Sequence, residues 1–313
     1  MCYSGPVEQR QRSADTPYRA GFVAILGAPN VGKSTLLNRL VQFHLSIVSP
    51  RPQTTRHVIR GVLSGDGYQI VFLDTPGLMR RARDVLEERM VKRIGDAVSD
   101  ADLALVLAEP RPPGPIEERL AAEVAARRRP ALLAFNKVDT LRDRGALAGL
   151  EAVYRRLHPF VEVVAVSALT GEGLDLLTEA LVRHLPEGEP FFDPEEVTDR
   201  SERFLAGELV REAVFTTYGQ EVPYETAVRV EEFREGDPEH AGKDYLRVVL
   251  YVNRETQRRI LVGRGGQALK QVGVQARQAI EEVLGRPVHL ELWVKTRPRW
   301  RKNVPFLKEL EYY

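Results

Sequence analysis

The chain has 313 residues, of which 43% are hydrophobic and 28% are charged, and its formal net charge is +1. This length is typical of two domains, and the neutral total by itself indicates no partner. The single cysteine, Cys2, excludes an internal disulfide and a cysteine metal site and favours a reducing compartment. No apolar run approaches the roughly 20 residues of a membrane span, so we expect a cytoplasmic protein. We expect residues 1–20 to form a disordered leader, because they lack the apolar core of a signal peptide.

The first predicted domain, residues 21–185, begins with a buried strand over 22–26 that leads into a glycine-containing loop. The loop reads Gly27-Ala28-Pro29-Asn30-Val31-Gly32-Lys33-Ser34, followed by Thr35 and a predicted helix that ends at Val41. This sequence matches the phosphate-binding pattern G-x-x-x-x-G-K-[ST], whose backbone N–H groups and helix N-terminus hold bridging phosphates. Lys33 can reach the β- and γ-phosphates and the Ser34 hydroxyl can ligate Mg²⁺. We therefore expect this loop to bind a nucleoside triphosphate.

Two further segments can complete the phosphate and Mg²⁺ site. A loop with two prolines contains the predicted switch residues Gln53, Thr54, Thr55, Arg56 and His57. Either Thr55 or Thr54 could offer its hydroxyl to Mg²⁺ when a γ-phosphate is present. After strands predicted over 58–63 and 69–73 comes the sequence Asp74-Thr75-Pro76-Gly77-Leu78. Asp74 can hold Mg²⁺ through water and the Gly77 N–H can meet the γ-phosphate, although either segment alone also fits an ordinary turn.

Two more strand ends carry residues that can select guanine. Strands over 103–107 and 131–135 flank a helical pattern over 116–126, which predicts a parallel sheet with helices on both faces. The second of these strands leads into Asn136-Lys137-Val138-Asp139, and a strand over 161–166 leads into Ser167-Ala168-Leu169. Asp139 can accept from guanine N1–H and from the exocyclic amine, while the Lys137 stem can cover the base. A backbone N–H of the second segment can meet guanine O6, so the motif order resembles that of Ras-like GTPases related to translation factors.

One expected catalytic residue is absent from the sequence. Many GTPases orient the attacking water with a glutamine that directly follows D-x-x-G, but this chain has Leu78 there. The sequence therefore resembles GTPases that rely on other groups. Two interpretations of Asn30 remain open: it could help to hold K⁺ beside the phosphates, or it could simply be a turn residue.

Proline and acidic residues mark residues 186–199 as a linker, and a second domain is predicted over residues 200–302. Residues 186–253 contain 17 Asp/Glu and 7 Lys/Arg, whereas residues 254–302 contain 4 and 12, so the neutral total hides a basic half. The predicted order is helix 200–218, strands 226–233 and 245–252, helices 256–262 and 267–284, and strand 288–295. Gly263-Arg264-Gly265-Gly266 joins the last two helices and matches the G-x-x-G loop of type II KH domains, which clamps single-stranded nucleic acid.

The basic, aromatic stretch Trp293–Lys302, which begins within the last predicted strand, is a second candidate for RNA contact. It interleaves Trp293 and Trp300 with Arg and Lys, and aromatic rings that stack with cations that meet phosphate are typical of single-strand binding. The alternative is a solvated basic end with Trp293 in the core. Residues 303–313 are expected to be a C-terminal tail. The RNA-binding candidates are Gly263, Arg264, Gly265, Gly266, Lys270, Arg277, Lys295, Arg297, Arg299, Trp300, Arg301 and Lys302.

From Gly21 to Lys302 the chain resembles one family, Era, through N-V-G-K-S-T, Q-T-T-R-H, D-T-P-G-L, N-K-V-D, S-A and the G-x-x-G loop. The resemblance implies a phosphate-loop GTPase domain with a mostly parallel sheet, followed by a smaller α+β type II KH domain. It implies a ribosome-assembly GTPase that uses GTP and Mg²⁺ and binds the 3′ end of small-subunit ribosomal RNA. It further implies peripheral contact with the inner membrane, and we expect a monomer. The alternatives are a regulator that uses its KH fold to dock a protein or membrane partner, and an RNA-binding protein that binds GTP without useful turnover.

Overall fold

The computed structural model describes residues 17–49, 51–79 and 81–312. Most of the predicted leader, residues 1–16, lies outside the described residues. The strands are β1 Arg19–Gly27, β2 Ile59–Gly65, β3 Tyr68–Asp74, β4 Leu103–Ala108, β5 Ala131–Phe135, β6 Glu162–Ala165, β7 Thr226–Asp237, β8 Lys243–Val252 and β9 Val288–Thr296. The helices are α1 Lys33–Val41, α2 Val85–Asp100, α3 Pro115–Ala126, α4 Ala146–Leu157, α5 Leu174–His184, α6 Glu202–Thr217, α7 Glu255–Val262, α8 Gln267–Leu284 and α9 Val304–Glu309. Because β1 begins at Arg19, the strand starts inside the segment predicted as a leader.

The first domain is built on a six-stranded sheet in the order β2-β3-β1-β4-β5-β6. Only β2 runs antiparallel to its neighbour, so the predicted α/β architecture with a mostly parallel sheet is confirmed. Residues from α1 and α5 pack on one face, and residues from α2, α3 and α4 pack on the other. The carboxyl ends of β1, β3, β4, β5 and β6 therefore meet at one edge, where ligands bind in open α/β sheets.

The segment between the domains is ordered along the sheet, although it contains no helix and only one isolated strand bridge. The Gln69 side chain accepts from the backbone N–H groups of Phe191 and Phe192, at 2.7 and 3.0 Å, and donates to the Phe192 carbonyl at 2.9 Å. Farther along, the Val62 N–H donates to the Val197 carbonyl at 2.8 Å. The predicted linker is thus held to β3 by the Gln69 side chain and to the edge strand β2 by a backbone hydrogen bond.

The second domain has a three-stranded sheet in the order β7-β8-β9, in which β7 and β8 are antiparallel and β8 and β9 are parallel. Its helix, strand and loop order is the one predicted for a type II KH fold, and α6, α7 and α8 cover one face of the sheet. The predicted tail is partly helical: α9 buries Phe306 and Leu307 against the other face of the sheet. Among the described residues, no helix is both long and apolar enough to cross a bilayer.

The two domains share an apolar core. Met79, Leu86 and Met90 of the first domain pack in one cluster with residues of the second. The second-domain members of this cluster are Ala227, Val249, Tyr251, Trp300, Phe306, Leu307, Leu310 and Tyr312. Because Leu86 and Met90 belong to α2, which follows the D-T-P-G segment, this core joins the ligand edge of the first domain to the sheet of the second.

Candidate functional site

The glycine-containing loop connects β1 to α1 in a conformation that glycine makes accessible. Gly32 has a φ of 101°, a region that other residues adopt only under strain, and a side chain at that position would collide with the Asn136 amide. At Gly27 an added Cβ would lie 2.8 Å from the Leu107 carbonyl oxygen. The loop can therefore bring its backbone close to a ligand at the N-terminus of α1, as the sequence predicts.

Lys33 is buried, and its ammonium group donates to two carbonyls of the loop. The distances from Nζ are 3.2 Å to Gly27 O and 3.0 Å to Ala28 O. Burial lowers the pKa of Lys33 to about 8, while the nearby Asp74 acts in the opposite direction. Phosphate oxygens would give this desolvated cation the negative partners that it lacks, so the side chain is suited to an anionic ligand.

Three oxygen-bearing side chains from separate motifs converge at the start of α1. Ser34 Oγ lies 3.0 Å from Thr55 Oγ1 and donates to Asp74 Oδ2 at 2.9 Å. The other carboxylate oxygen, Asp74 Oδ1, is buried without a hydrogen-bond partner among the described residues. Burial raises the pKa of Asp74, and Lys33 and Ser34 oppose that shift. These hydroxyl and carboxylate oxygens, one of them an acceptor without a donor, fit the ligand preference of Mg²⁺. Of the two candidates Thr54 and Thr55, it is Thr55 that faces Ser34.

The D-T-P-G segment packs directly on the phosphate-binding loop. An added Cβ at Gly77 would lie 2.9 Å from the Pro29 backbone, so only glycine lets these two segments approach so closely. Thr75 Oγ1 donates to the Ile25 carbonyl at 2.7 Å and fixes the turn to β1. Leu78 is buried in the core below the sheet edge, so its side chain is part of the packing and cannot orient a water.

Asn136 ties three loops of the ligand edge together. Its Nδ2 donates to Val31 O at 2.7 Å, and its Oδ1 accepts from the Ala168 N–H at 2.9 Å. The Ser167 N–H donates to the Glu172 carbonyl at 2.9 Å and closes the turn between β6 and α5. Asp139 follows on the same edge and is exposed, and Val138 beneath it is buried.

Glu109 is a residue of this edge that the motifs do not identify. It directly follows β4, and its Oε1 accepts from Lys137 Nζ at 2.6 Å. That hydrogen bond holds the pKa of the Glu109 carboxyl below its usual value. The sequence does indicate this residue, because Glu109 directly follows a buried strand, as the residues of the recognised motifs do.

Two of the predicted switch residues turn away from the phosphates. Arg56 and His57 are both buried and both contact the second domain. The His57 ring stacks on Tyr312 with centroids 4.6 Å apart and meets Phe204 edge-on at 5.0 Å. Burial lowers the pKa of His57 to about 3, so the imidazole is neutral at physiological pH. Gln53, with a φ of 64°, makes the turn that precedes Thr54.

The G-x-x-G loop lies between α7 and α8 and is open to solvent. Gly265 and Gly266 have φ values of 59° and 79°, and a Cβ added at either would meet no atom within 4 Å. Arg264 and Lys270 are exposed beside the loop, whereas Arg277 lies about three turns along α8, where it pairs with Glu281 at 2.8 Å. The backbone of this loop is accessible to a phosphate chain, as a KH loop requires.

The two tryptophans occupy the opposite environments to those proposed from the sequence. Trp293 is 54% exposed, whereas Trp300 is 0% exposed and donates from Nε1 to the Glu225 carbonyl at 2.8 Å. The expectation that Trp300 stacks on a base is therefore wrong, because the ring fills the core between the domains. Arg301 also departs from prediction: its side chain is 13% exposed and pairs with Asp84 at 2.6 Å.

The other basic residues near the C-terminus are scattered relative to the G-x-x-G loop. Lys295 lies on the sheet face that points away from α7 and α8, 3.3 Å from Glu231. The Arg297 guanidinium lies over the Phe306 ring at 3.6 Å, and Arg299 and Lys302 are exposed. The structure thus places Lys270 in the first turns of α8 beside the loop, and it groups neither Arg277 nor Lys295 with it.

Comparison with known proteins assigns both halves of the chain. A family model described as 50S ribosome-binding GTPase matches residues 22–137, and a KH domain model matches residues 221–301. GTPase Era of Geobacter metallireducens is 43% identical over 300 residues, which cover 96% of this chain and 99% of the relative. GTPase Era of Lactobacillus helveticus is 38% identical, over 94% and 96% of the two chains.

Two solved structures of similar proteins span almost the whole chain. A variant of Aquifex aeolicus Era bound to GDP.AlF4- is 38% identical, with a TM-score of 0.89 over 94% of this chain and 99% of that one. A second Era structure, in complex with MgGDPNP and nucleotides 1506–1542 of 16S ribosomal RNA, is 37% identical with a TM-score of 0.90 over the same shares.

Proposed function

The chain belongs to the Era family of GTPases, and on that premise we propose that it hydrolyses GTP and binds small-subunit ribosomal RNA through its KH domain. The observation that carries the enzymatic half is the convergence of Ser34, Thr55 and Asp74 beside Lys33. Three separate motifs supply these groups, and together they form a site for a triphosphate with its cation. The RNA-binding half rests on the exposed G-x-x-G loop in a KH fold.

In this site Ser34, Thr55 and Asp74 would hold Mg²⁺, which when bound neutralises charge that develops on the β- and γ-phosphate oxygens. Lys33 would exchange its bonds to the loop carbonyls for bonds to phosphate oxygens. The N–H groups of the Gly27–Ser34 loop would bind the bridging phosphates, and the Gly77 N–H the γ-phosphate. Asp139 would accept from two guanine donors that adenine does not present in this arrangement.

Hydrolysis also needs a group that orients the attacking water, and the buried Leu78 cannot be that group. We assign that role to backbone groups of the loops that contain Thr55 and Gly77, because these loops carry the other contacts proposed for the γ-phosphate. A K⁺ held with the help of Asn30 would add charge stabilisation beside the phosphates. Asn30 adopts a left-handed conformation with a φ of 62°, which fits the role and equally fits a plain turn residue.

The RNA that we propose is the 3′ end of the small-subunit ribosomal RNA. The support is the Era structure in complex with nucleotides 1506–1542 of 16S ribosomal RNA, whose chain aligns with 94% of this one. The KH loop here has the open glycine backbone that such an interaction needs. A cytoplasmic protein, peripheral contact with the inner membrane and a monomeric state are further proposals; the single cysteine supports the first, and the family resemblance supports the second.

Co-sedimentation with purified ribosomal subunits, with and without a GTP analogue, tests the proposed function directly. We expect the protein to sediment with the small subunit and to release phosphate from GTP over many turnovers. A protein that turns over GTP but does not associate with RNA or subunits would favour the docking-module alternative. A protein that binds RNA with no turnover would refute the enzymatic half.

A pair of KH-loop variants tests the RNA interface. Arg264→Asp combined with Gly265→Asp places two carboxylates where phosphates must lie, so we expect single-strand RNA binding to be lost while GTP affinity is unchanged. The matched control is Gly285→Asp, because Gly285 has a φ of 69° and open space around it but lies at the far end of α8. The control should keep RNA affinity. Equal RNA affinities of a folded double variant and the control would show that this loop does not bind RNA.

A further inference from the structure

Arg56 directly follows the proposed Mg²⁺ ligand Thr55 but inserts its side chain into the second domain. The residue is buried, and its guanidinium donates to carbonyls of the segment that connects α6 to β7. Nη1 lies 2.8 Å from Thr226 O, and Nη2 lies 2.8 Å from Tyr224 O and 3.3 Å from Pro223 O. The Arg56 guanidinium therefore finds its hydrogen-bond acceptors in the other domain. Burying it without such acceptors would cost free energy.

The carbonyls that receive Arg56 are themselves held in place by the second domain. Trp300 Nε1 donates to the Glu225 carbonyl at 2.8 Å, and Thr226 Oγ1 donates to the Val222 carbonyl at 2.7 Å. The Trp300 ring also lies beneath the guanidinium, with its centroid 5.7 Å from Arg56 Cζ. We call residues Pro223–Thr226 the carbonyl loop. Because the Thr226–Val222 bond closes this loop and Trp300 holds Glu225 within it, the loop is a preformed acceptor site.

The carbonyl loop also contacts the segment that follows D-T-P-G. Arg301 donates from Nη1 to the Tyr224 carbonyl at 2.8 Å, so this one oxygen accepts from both Arg56 and Arg301. Arg301 in turn pairs with Asp84, at 2.6 Å, and Glu87, at 3.3 Å, at the start of α2. The segment that follows Thr55 therefore reaches the Tyr224 carbonyl directly, through Arg56, and the segment that follows Gly77 is linked to the same carbonyl through Arg301.

We propose that Arg56 is a positioning residue, and that the carbonyl loop of the KH domain holds Thr55 in the place where its hydroxyl faces Ser34. Consecutive Cα atoms are 3.8 Å apart, so the hydrogen bonds that hold the Arg56 side chain in the carbonyl loop also restrict the backbone next to Thr55. Ligands of Mg²⁺ must lie near 2.0–2.1 Å from the ion, which makes the site sensitive to small shifts of Thr55. On this account, which rests on the proposed function, the second domain completes the triphosphate site of the first.

The consequence is a selective effect on the triphosphate state. A GTP analogue with Mg²⁺ needs Thr55, whereas GDP does not contact a residue that is recruited by the γ-phosphate. Arg56→Ala should weaken the analogue about ten- to a hundredfold, as expected for removal of hydrogen bonds from a charged group, and should leave GDP affinity within about twofold. Arg56→Lys should give an intermediate loss, because a single ammonium cannot reach all three carbonyls in the planar arrangement of a guanidinium.

The experiment uses the full chain and two readouts, analogue and GDP affinities as a function of Mg²⁺, and hydrogen exchange of residues 53–57. The matched control is Arg203→Ala, because Arg203 also donates to carbonyls, Val230 O at 2.6 Å and Glu231 O at 2.7 Å, but within the second domain. We expect hydrogen exchange of residues 53–57 to be faster, and the ratio of analogue affinity to GDP affinity to be lower, in Arg56→Ala but not in Arg203→Ala. If that variant does not fold, Trp300→Phe, which removes the anchor on Glu225, should shift the ratio in the same direction.

The outcomes separate the inference from the function on which it rests. A wild-type protein that shows no Mg²⁺-dependent binding of the analogue would overturn the proposed function itself. A wild-type protein that binds the analogue, with a folded Arg56→Ala variant that keeps the wild-type ratio and exchange rate, would overturn only the positioning role. The same conclusion follows if Arg203→Ala lowers the ratio as much as Arg56→Ala, since the effect would then be general destabilisation.

Discussion

The two tryptophans make a matched pair with opposite expected effects. Trp300 is fully buried between the domains, and replacing it by alanine should lower the free energy of unfolding by about 3–5 kcal/mol, the cost of deleting a large aromatic side chain from a core. Trp300→Phe keeps most of the side-chain volume but leaves the Glu225 carbonyl without its donor, so it should lower the free energy of unfolding by about 1–3 kcal/mol. Trp293→Ala, at a position that is 54% exposed, should change stability by less than about 0.5 kcal/mol.

The assay is urea unfolding followed by circular dichroism and by fluorescence of the remaining tryptophan. With Trp293 alone the emission should be that of a solvated indole in the folded state, and with Trp300 alone it should be blue-shifted until the domain interface opens. RNA affinity, corrected for the folded fraction, should be the same for Trp300→Phe and wild type. A Trp300→Ala variant that unfolds like wild type but binds RNA weakly would refute the reasoning and restore the stacking role.

Three further predictions concern the nucleotide site and the domain contact. Asp139→Asn should shift preference from GTP to xanthosine triphosphate, with GTP affinity reduced about ten- to a hundredfold; an unchanged preference measured by competition would remove Asp139 from base selection. Turnover should be faster in KCl than in NaCl at matched ionic strength, and Asn30→Ala should abolish the difference; equal wild-type rates would contradict a K⁺ site. The hydrogen bond to Glu212 raises the pKa of His44, so this contact should be complete below about pH 6.5 and lost as pH rises through the folded-state pKa. An NMR titration should show the His44 pKa falling towards its ordinary value in Glu212→Gln, and no change would mean that the pair does not form.

The ligand edge of the first domain was predictable because its information is local. The loop that leads to Lys33 directly follows β1, Asp74 ends β3, and Asn136 directly follows β5. Parallel strands bring such ends to one edge whatever the rest of the chain does. Even there the prediction left choices that only packing decides. Thr55 rather than Thr54 faces Ser34, and Glu109, in the same kind of position, was overlooked because no common motif includes it.

The C-terminal region was predicted less well because the environment of its residues depends on distant parts of the chain. Alternation along β9 shows that Trp293 and Lys295 share a face, but it does not show what covers that face. Helix α9, which was expected to be a tail, covers that face at Val249 and Tyr251 of β8, next to Trp300, and leaves Trp293 and Lys295 of β9 exposed. The same limit applies to Arg56, whose acceptors lie about 170 positions later in the sequence. Helices α2 and α4 were likewise not predicted.

The hydrogen bonds of Gln69 to the segment between the domains bear on how freely the RNA-binding half can move. A flexible chain of 14 residues would have a root-mean-square span of about 20 Å, and the KH domain would sample a wide volume around the GTPase domain. Gln69 instead fixes the backbone of Phe191 and Phe192, and Val62 fixes that of Val197. Because these bonds shorten the free part of the segment, each domain stays near the other, and the effective concentration of one domain for the other is high. The length of this segment therefore influences how often the shared core forms.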